Sequence, residues 1–175
     1  MGEIVVREMA RSEGLTNVEV SSAGTSGEES GNPIDARAAR VLAEAGYPVD
    51  KNHRAHRVTP SELAQADLVL AMTYGHANIL ASRMDQANLN LEKLHLWREF
   101  DEAFPALKIA PHGIFGPGSP LENSQPEVGG HYSNQYSSDG KFDVPDPWYG
   151  PVDGFYRTLG VIESGAAGLL RFVQS

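Results

Sequence analysis

A chain of 175 residues, 41% hydrophobic and 21% charged with a mean hydropathy of −0.33, is long enough to bury a sizeable core as one ordinary domain. Its net charge of −9 and sequence pI of about 5.1 argue against nucleic acid or an anionic membrane as a partner. It has no cysteine, which removes disulfides, thiolate metal sites and every thiol nucleophile from these residues, and fits a cytoplasmic protein.

Residues 3–13 read as an amphipathic helix, with Ile4, Val5 and Met9 in one stripe and Gly14 as its C-cap. Glu3 and Arg7 inside that stretch argue against a signal peptide. VEVSSAGT, 18–25, reads as a short strand entering a Ser/Gly turn, and GTSGEESGNP, 24–33, as loop. Asp35 can cap or begin a helix that runs through ARAARVLAEAG to Gly46. Thr59, with Pro60 at the first helical position and Glu62 three residues on, carries a capping-box signature. DLVLAM, 67–72, is continuously apolar, as a buried parallel strand requires. The longest apolar run, ADLVLAM, is strand length and far short of a membrane span. A helix follows through Ala77, Ile79 and Leu80, and KLHLW, 93–97, reads as a further strand.

Residues 105–142 are rich in Gly, Pro, Ser and Asn without a sustained period, and read as a long loop excursion within a single 1–175 domain. The chain closes on a helix over about 152–173, striped by Phe155, Leu159, Ile162, Ala166, Leu169, Leu170 and Val173. Strands alternating with helices predict an α/β fold with a parallel sheet. Such folds usually open on a strand whose C-terminal end carries the ligand loop, whereas this chain opens on a helix.

The stretch DVPDPWYG, 143–150, places Asp143 two residues before Pro145 and Asp146 directly before Pro147. Proline fixes its own φ and drives the preceding residue to extended backbone, so Asp146 is stiffly held beside Trp148 and Tyr149. A rigid acid next to flat apolar walls suits proton donation to a leaving group that is itself a ring. A surface turn built from Asp, Pro and Gly is the other reading of the same residues.

MGEIVVREMARSEGL, VSSAGT, GNPIDARA, HRAHRVT, DLVLAM and DVPDPWYG, in that order, resemble the low-molecular-weight protein-tyrosine phosphatases over almost all the chain outside 105–142. The resemblance implies a three-layer α/β sandwich whose parallel sheet has the order 2-1-3-4. It also implies hydrolysis of phosphotyrosine proteins or aryl phosphates through a cysteinyl-phosphate, without cofactor or metal. In the family a first strand and a Cys-x5-Arg phosphate loop precede Ser-Pro-Met-Ala-Glu. Met1-Gly2-Glu3 aligns with that Met-Ala-Glu, so strand, Cys and Arg are expected before residue 1, and the chain as given is expected to be inactive. The strand would lie between VEVSS and DLVLAM, and unpaired strand edges there invite self-association. By resemblance Asp146 is the general acid, Trp148 and Tyr149 stack on the substrate ring, and His53 braces the phosphate loop from the second shell of side chains. Two aromatics there suit phosphotyrosine better than phosphoarginine.

No other residue reads as a substitute nucleophile. Ser21 and Ser22 match the family's second strand, Arg11-Ser12 faces out of a helix, and GTSGEESG lacks a P-loop Lys while Glu28 and Glu29 would repel phosphate. His53 and His56 have no further ligand cluster to suggest a metal. Thr73 stands where many family members have an Asp that braces a loop, and Asp35 and Arg37 read as structural: helix start and helix face. The competing readings are a non-catalytic binding module on the same fold and an arsenate-reductase-like protein, which would need cysteines absent here.

Overall fold

The structure, a computed structural model, describes residues 1–123 and 140–175, so the expected excursion at 105–142 lies partly outside the described residues. Two compact units form, one from Met1–Arg57, Phe100–Ala103 and Val144–Ser175, the other from Val58–Glu99 and Phe104–Asp143.

The first unit is built on three helices: α1 (Gly2–Ser12), α2 (Ala36–Glu44) and α5 (Asp153–Val173), with α1 and α2 both packed on α5. Gly14 ends α1 at φ +74°, letting Leu15 N–H reach the Ala10 carbonyl at 2.9 Å and Gly14 N–H reach Arg11 at 3.1 Å, a Schellman closure. In α1 it is Val5, Val6 and Ala10 that are buried, and the expected Ile4 and Met9 are only half-buried. The α5 stripe follows expectation from Phe155 to Leu170, but Val173 is 45% exposed.

The expected strand at 18–25 does not form. Its one strand-like feature is an isolated parallel bridge between Gly24 and Arg57. A strand exists through a hydrogen-bonded neighbour, and among the described residues 18–23 have none. The Gly-rich loop after it is pinned instead, by Gly24 N–H to His56 at 2.8 Å, Gly31 N–H to Ala55 at 2.8 Å and Ala55 N–H to Asn32 at 2.9 Å.

The second unit contains the sheet among the described residues: β1 (Val69–Ala71) parallel to β2 (Leu94–Leu96), in the register Val69 to Leu94 and Ala71 to Leu96. The parallel pairing agrees with the continuous apolar run of DLVLAM. α3 (Pro60–Gln65) starts at the expected capping box, and α4 (Tyr74–Gln86) covers both strands through Ala77, Leu80, Ala81 and Met84. Thr73 caps α4 by accepting from His76 N–H at 3.1 Å, and the Asp143 carboxylate accepts from Tyr74 N–H at 2.7 Å.

Residues 105–123, the described first part of the expected loop excursion, form no helix or strand but bury Leu107, Ala110, Ile114 and Leu121. Ile114 N–H donates to the Leu94 carbonyl at 2.8 Å, so this segment covers one edge of β2 that would otherwise be open to pairing. Buried Glu99 anchors it, accepting from Leu96 N–H at 2.5 Å, from Ala110 N–H at 2.8 Å and meeting His95 Nδ1 at 3.1 Å.

Candidate active site

The 144–150 loop enters through buried Val144 and meets α5 where Thr158 Oγ1 donates to the Pro145 carbonyl at 2.9 Å. Asp146 then closes an Asx turn: its Oδ1 accepts from the Trp148 N–H at 3.0 Å. A second turn follows as Gly150 N–H reaches the Pro147 carbonyl at 2.9 Å. Asp146 is exposed on this loop. Trp148 is 44% exposed and Tyr149 99% exposed, so the two aromatics differ sharply in how far the protein holds them.

The hold on Trp148 comes from a residue assigned only a helix face. Arg37 sits in the first turn of α2, donating through Nη2 to the Trp148 carbonyl at 3.1 Å and through Nη1 to the Gly150 carbonyl at 3.3 Å. Its guanidinium carbon lies 4.6 Å from the Phe155 ring centroid and 5.8 Å from that of Trp148. Asp35 fixes Arg37 with a two-point ion pair, 3.1 Å to Nε and 2.9 Å to Nη2, while also capping α2 through Arg37 N–H at 2.7 Å. The Arg37 side chain, then the helix-end N–H groups, hold the Asp35 carboxyl below the usual carboxylate range despite partial burial. A signal for this was present in the sequence: a cation in the first helical turn opposes the helix dipole and needs another partner.

His53 belongs to a second cluster of the same unit, around Glu3. Burial pushes the Glu3 carboxyl up, but the Ser22 hydroxyl, then Arg7, then His53 together hold it below the usual range. Ser22 and Arg7 both donate to Glu3, and Arg7 Nη2 also reaches the Val20 carbonyl at 3.2 Å, tying α1 to the segment expected as a strand. Among the described residues His53 shares no hydrogen bond with the 144–150 loop, and no three His, Asp or Glu side chains converge as a metal site.

The profile of the low molecular weight phosphotyrosine protein phosphatase family matches residues 1–110. The chain is 33% identical to a low molecular weight protein-tyrosine-phosphatase of Streptomyces coelicolor over 175 residues, covering 99% of this chain and 85% of that protein. It is 32% identical to low molecular weight protein-tyrosine phosphatase A of Mycobacterium tuberculosis, covering 99% and 83%. Its fold superposes on a protein tyrosine phosphatase from Entamoeba histolytica at a TM-score of 0.70 and 21% identity, covering 99% and 86%. A TM-score of 0.68 at 24% identity relates it to the YwlE arginine phosphatase, again covering 99% and 86%.

Proposed function

Because the chain belongs to the low molecular weight protein-tyrosine phosphatase family, we propose that it carries, as a single cytoplasmic domain, the acid and aromatic side of a phosphotyrosine-hydrolysing site. The substrates are phosphotyrosine proteins or aryl phosphates. The observation that carries this reading is Asp146 itself, exposed, bracketed by two prolines and fixed by the 3.0 Å bond from Trp148 N–H.

The chemistry assigns each group a task. A thiolate attacks phosphorus, the S–P bond forms as the P–O(aryl) bond breaks, and the Asp146 carboxyl gives its proton to the departing aryl oxygen. Water then attacks the phosphoenzyme, the S–P bond breaks, and Asp146 takes the water's proton back. Trp148 and Tyr149 present flat faces to the ring, and His53 acts through Glu3 and its neighbours as a brace. The 175 residues contain no cysteine, so the thiolate is not among them and the chain as given is expected not to turn over. That lack favours a second reading, a binding module that receives an aryl phosphate without hydrolysing it.

A steady-state assay of the 175-residue chain on an aryl phosphate should give no turnover above a buffer blank. The same chain joined behind a relative's strand and Cys-x5-Arg segment should give turnover. Activity in the unextended chain that survives repurification and is abolished by Asp146→Ala would overturn the assignment of tasks, and a folded extended chain without activity would favour the binding module.

A further inference from the structure

The loop that carries Asp146 is poor in donors of its own, because Pro145 and Pro147 have no N–H. The Pro147 carbonyl is satisfied within the loop by Gly150 N–H, the Pro145 carbonyl by Thr158 Oγ1, and two more, at Trp148 and Gly150, by one guanidinium. Residue 148 is pinned on both sides of its Cα: its N–H donates to Asp146 and its C=O accepts from Arg37. We infer that Arg37 is the positioning residue of the acid loop, setting the direction of the Asp146 carboxyl through the backbone of Trp148. This rests on the reading of Asp146 as the acid.

Four N–H groups of the guanidinium are in use: Nε to Asp35, one Nη2 proton to Asp35 and the other to Trp148, and one Nη1 proton to Gly150. Such an arrangement needs a planar fork, which a lysine ammonium cannot reproduce. The plane of that fork is set by Asp35, which is in turn fixed on the N-terminal N–H groups of α2. The acid loop is thereby referenced to a helix end. The indole of Trp148 and the buried ring of Phe155 flank the same cation, so removing it frees the aromatic wall as well as the backbone.

The test uses the 175-residue chain and its two tryptophans. Trp97 is 3% exposed and shielded from acrylamide, so collisional quenching reports Trp148. Arg37→Ala should raise the Trp148 quenching constant by roughly a factor of two as a 44% exposed ring approaches full exposure, with Trp97 still shielded. Arg37→Lys should not restore the original value. Asp35→Asn keeps a competent helix cap and should move quenching in the same direction by less. Unchanged quenching in Arg37→Ala, or full rescue by Arg37→Lys, would overturn the assignment. Should Arg37→Ala unfold, Trp97 becomes quenchable and the Lys and Asn variants decide.

In the extended, cysteine-containing chain, Arg37→Ala should lower kcat on a poor leaving group by up to about 10²-fold, with a smaller loss on an activated one. If quenching responds as stated but Asp146→Ala leaves turnover unchanged, the acid reading falls and the clamp stands. If quenching does not respond, the clamp falls whatever Asp146 does.

Discussion

Gly168 and Gly160 lie in the same helix, α5, and alanine at the two positions should act in opposite directions. A Cβ at Gly168 would lie 2.0 Å from the Phe100 carbonyl oxygen and 3.0 Å from its carbon, against an ordinary contact of at least 3.4 Å. The obstacle is backbone, so α5 or the Phe100–Ala103 segment must give way by about 3.4 − 2.0 = 1.4 Å rather than one side chain turning aside. Overpacking of this kind costs about 1–3 kcal/mol, and a backbone obstacle puts the cost near the top of that span. Replacing a helical Gly returns about 1 kcal/mol of helix propensity, leaving a net loss of about 2 kcal/mol. At roughly 2–4 °C per kcal/mol for a chain of this size, the melting midpoint should fall by about 4–8 °C. At Gly160 an added Cβ meets nothing within 4 Å, so only the propensity gain remains and the midpoint should rise by about 2–4 °C. Thermal melts followed by far-ultraviolet circular dichroism read both. Equal shifts of the same sign, or a Gly168→Ala chain as stable as the parent, would refute the packing of α5 on Phe100.

Two further outcomes follow from titrating groups. Burial, then a 2.8 Å hydrogen bond to Glu163, raises the Tyr47 phenol to about 12. The folded state therefore keeps that proton longer than the unfolded one. Its stabilisation is full below the ordinary phenol pKa of about 10 and is lost as pH rises toward the folded value. Urea midpoints across that alkaline window should fall less steeply in Tyr47→Phe. Some slope should remain from Tyr156, whose phenol is raised by its bond to Glu44, and an unchanged slope would remove Tyr47 from the balance. Asp35 works at the other end: its folded pKa is depressed, chiefly by Arg37, so its stabilisation is full above the ordinary carboxylate pKa of about 4 and lost as pH falls below it. Trp148 quenching should rise over that acid window in the parent and not in Asp35→Asn, and a flat profile in the parent would count against the Asp35–Arg37 pair.

The helices were legible where local rules are strong. Gly14 and Gly46 stop α1 and α2, Thr59 and Glu62 start α3, and the period of Phe155 to Leu170 marks α5, because caps and periodicity act within a few residues. The strand in DLVLAM could be read from its unbroken apolar run and that in KLHLW only as a short strand, and three residues of each are strand. The segment VEVSS misled because β-propensity says which residues suit a ladder and not whether a neighbour is there to complete it. Residues 105–123 form no helix or strand, as the loop reading expects, but that reading missed their burial: Leu107, Ile114 and Leu121 fall seven residues apart among Gly and Pro that forbid a helix, and their anchor, Glu99, lies outside the segment. At the candidate site, Asp146 and its aromatics stand out in the sequence because Pro145 and Pro147 bracket the acid. Arg37 is 111 residues away from Trp148 in sequence, and its role depends on contacts the chain order cannot show.

The central claim is that Asp146 supplies the proton to the leaving aryl oxygen, and leaving-group dependence tests it most directly. The measurement is kcat for the extended, cysteine-containing chain and for its Asp146→Ala and Asp143→Ala variants, on a poor phenolic leaving group and on an activated one. Asp146→Ala should lose about 10²–10⁴-fold on the poor leaving group and far less on the activated one, which needs little protonation. Asp143 accepts from the Tyr74 N–H at 2.7 Å, a helix-end task, so Asp143→Ala should lose much less and equally on both substrates. Equal losses from the two variants on both substrates would contradict the assignment of Asp146 as the acid.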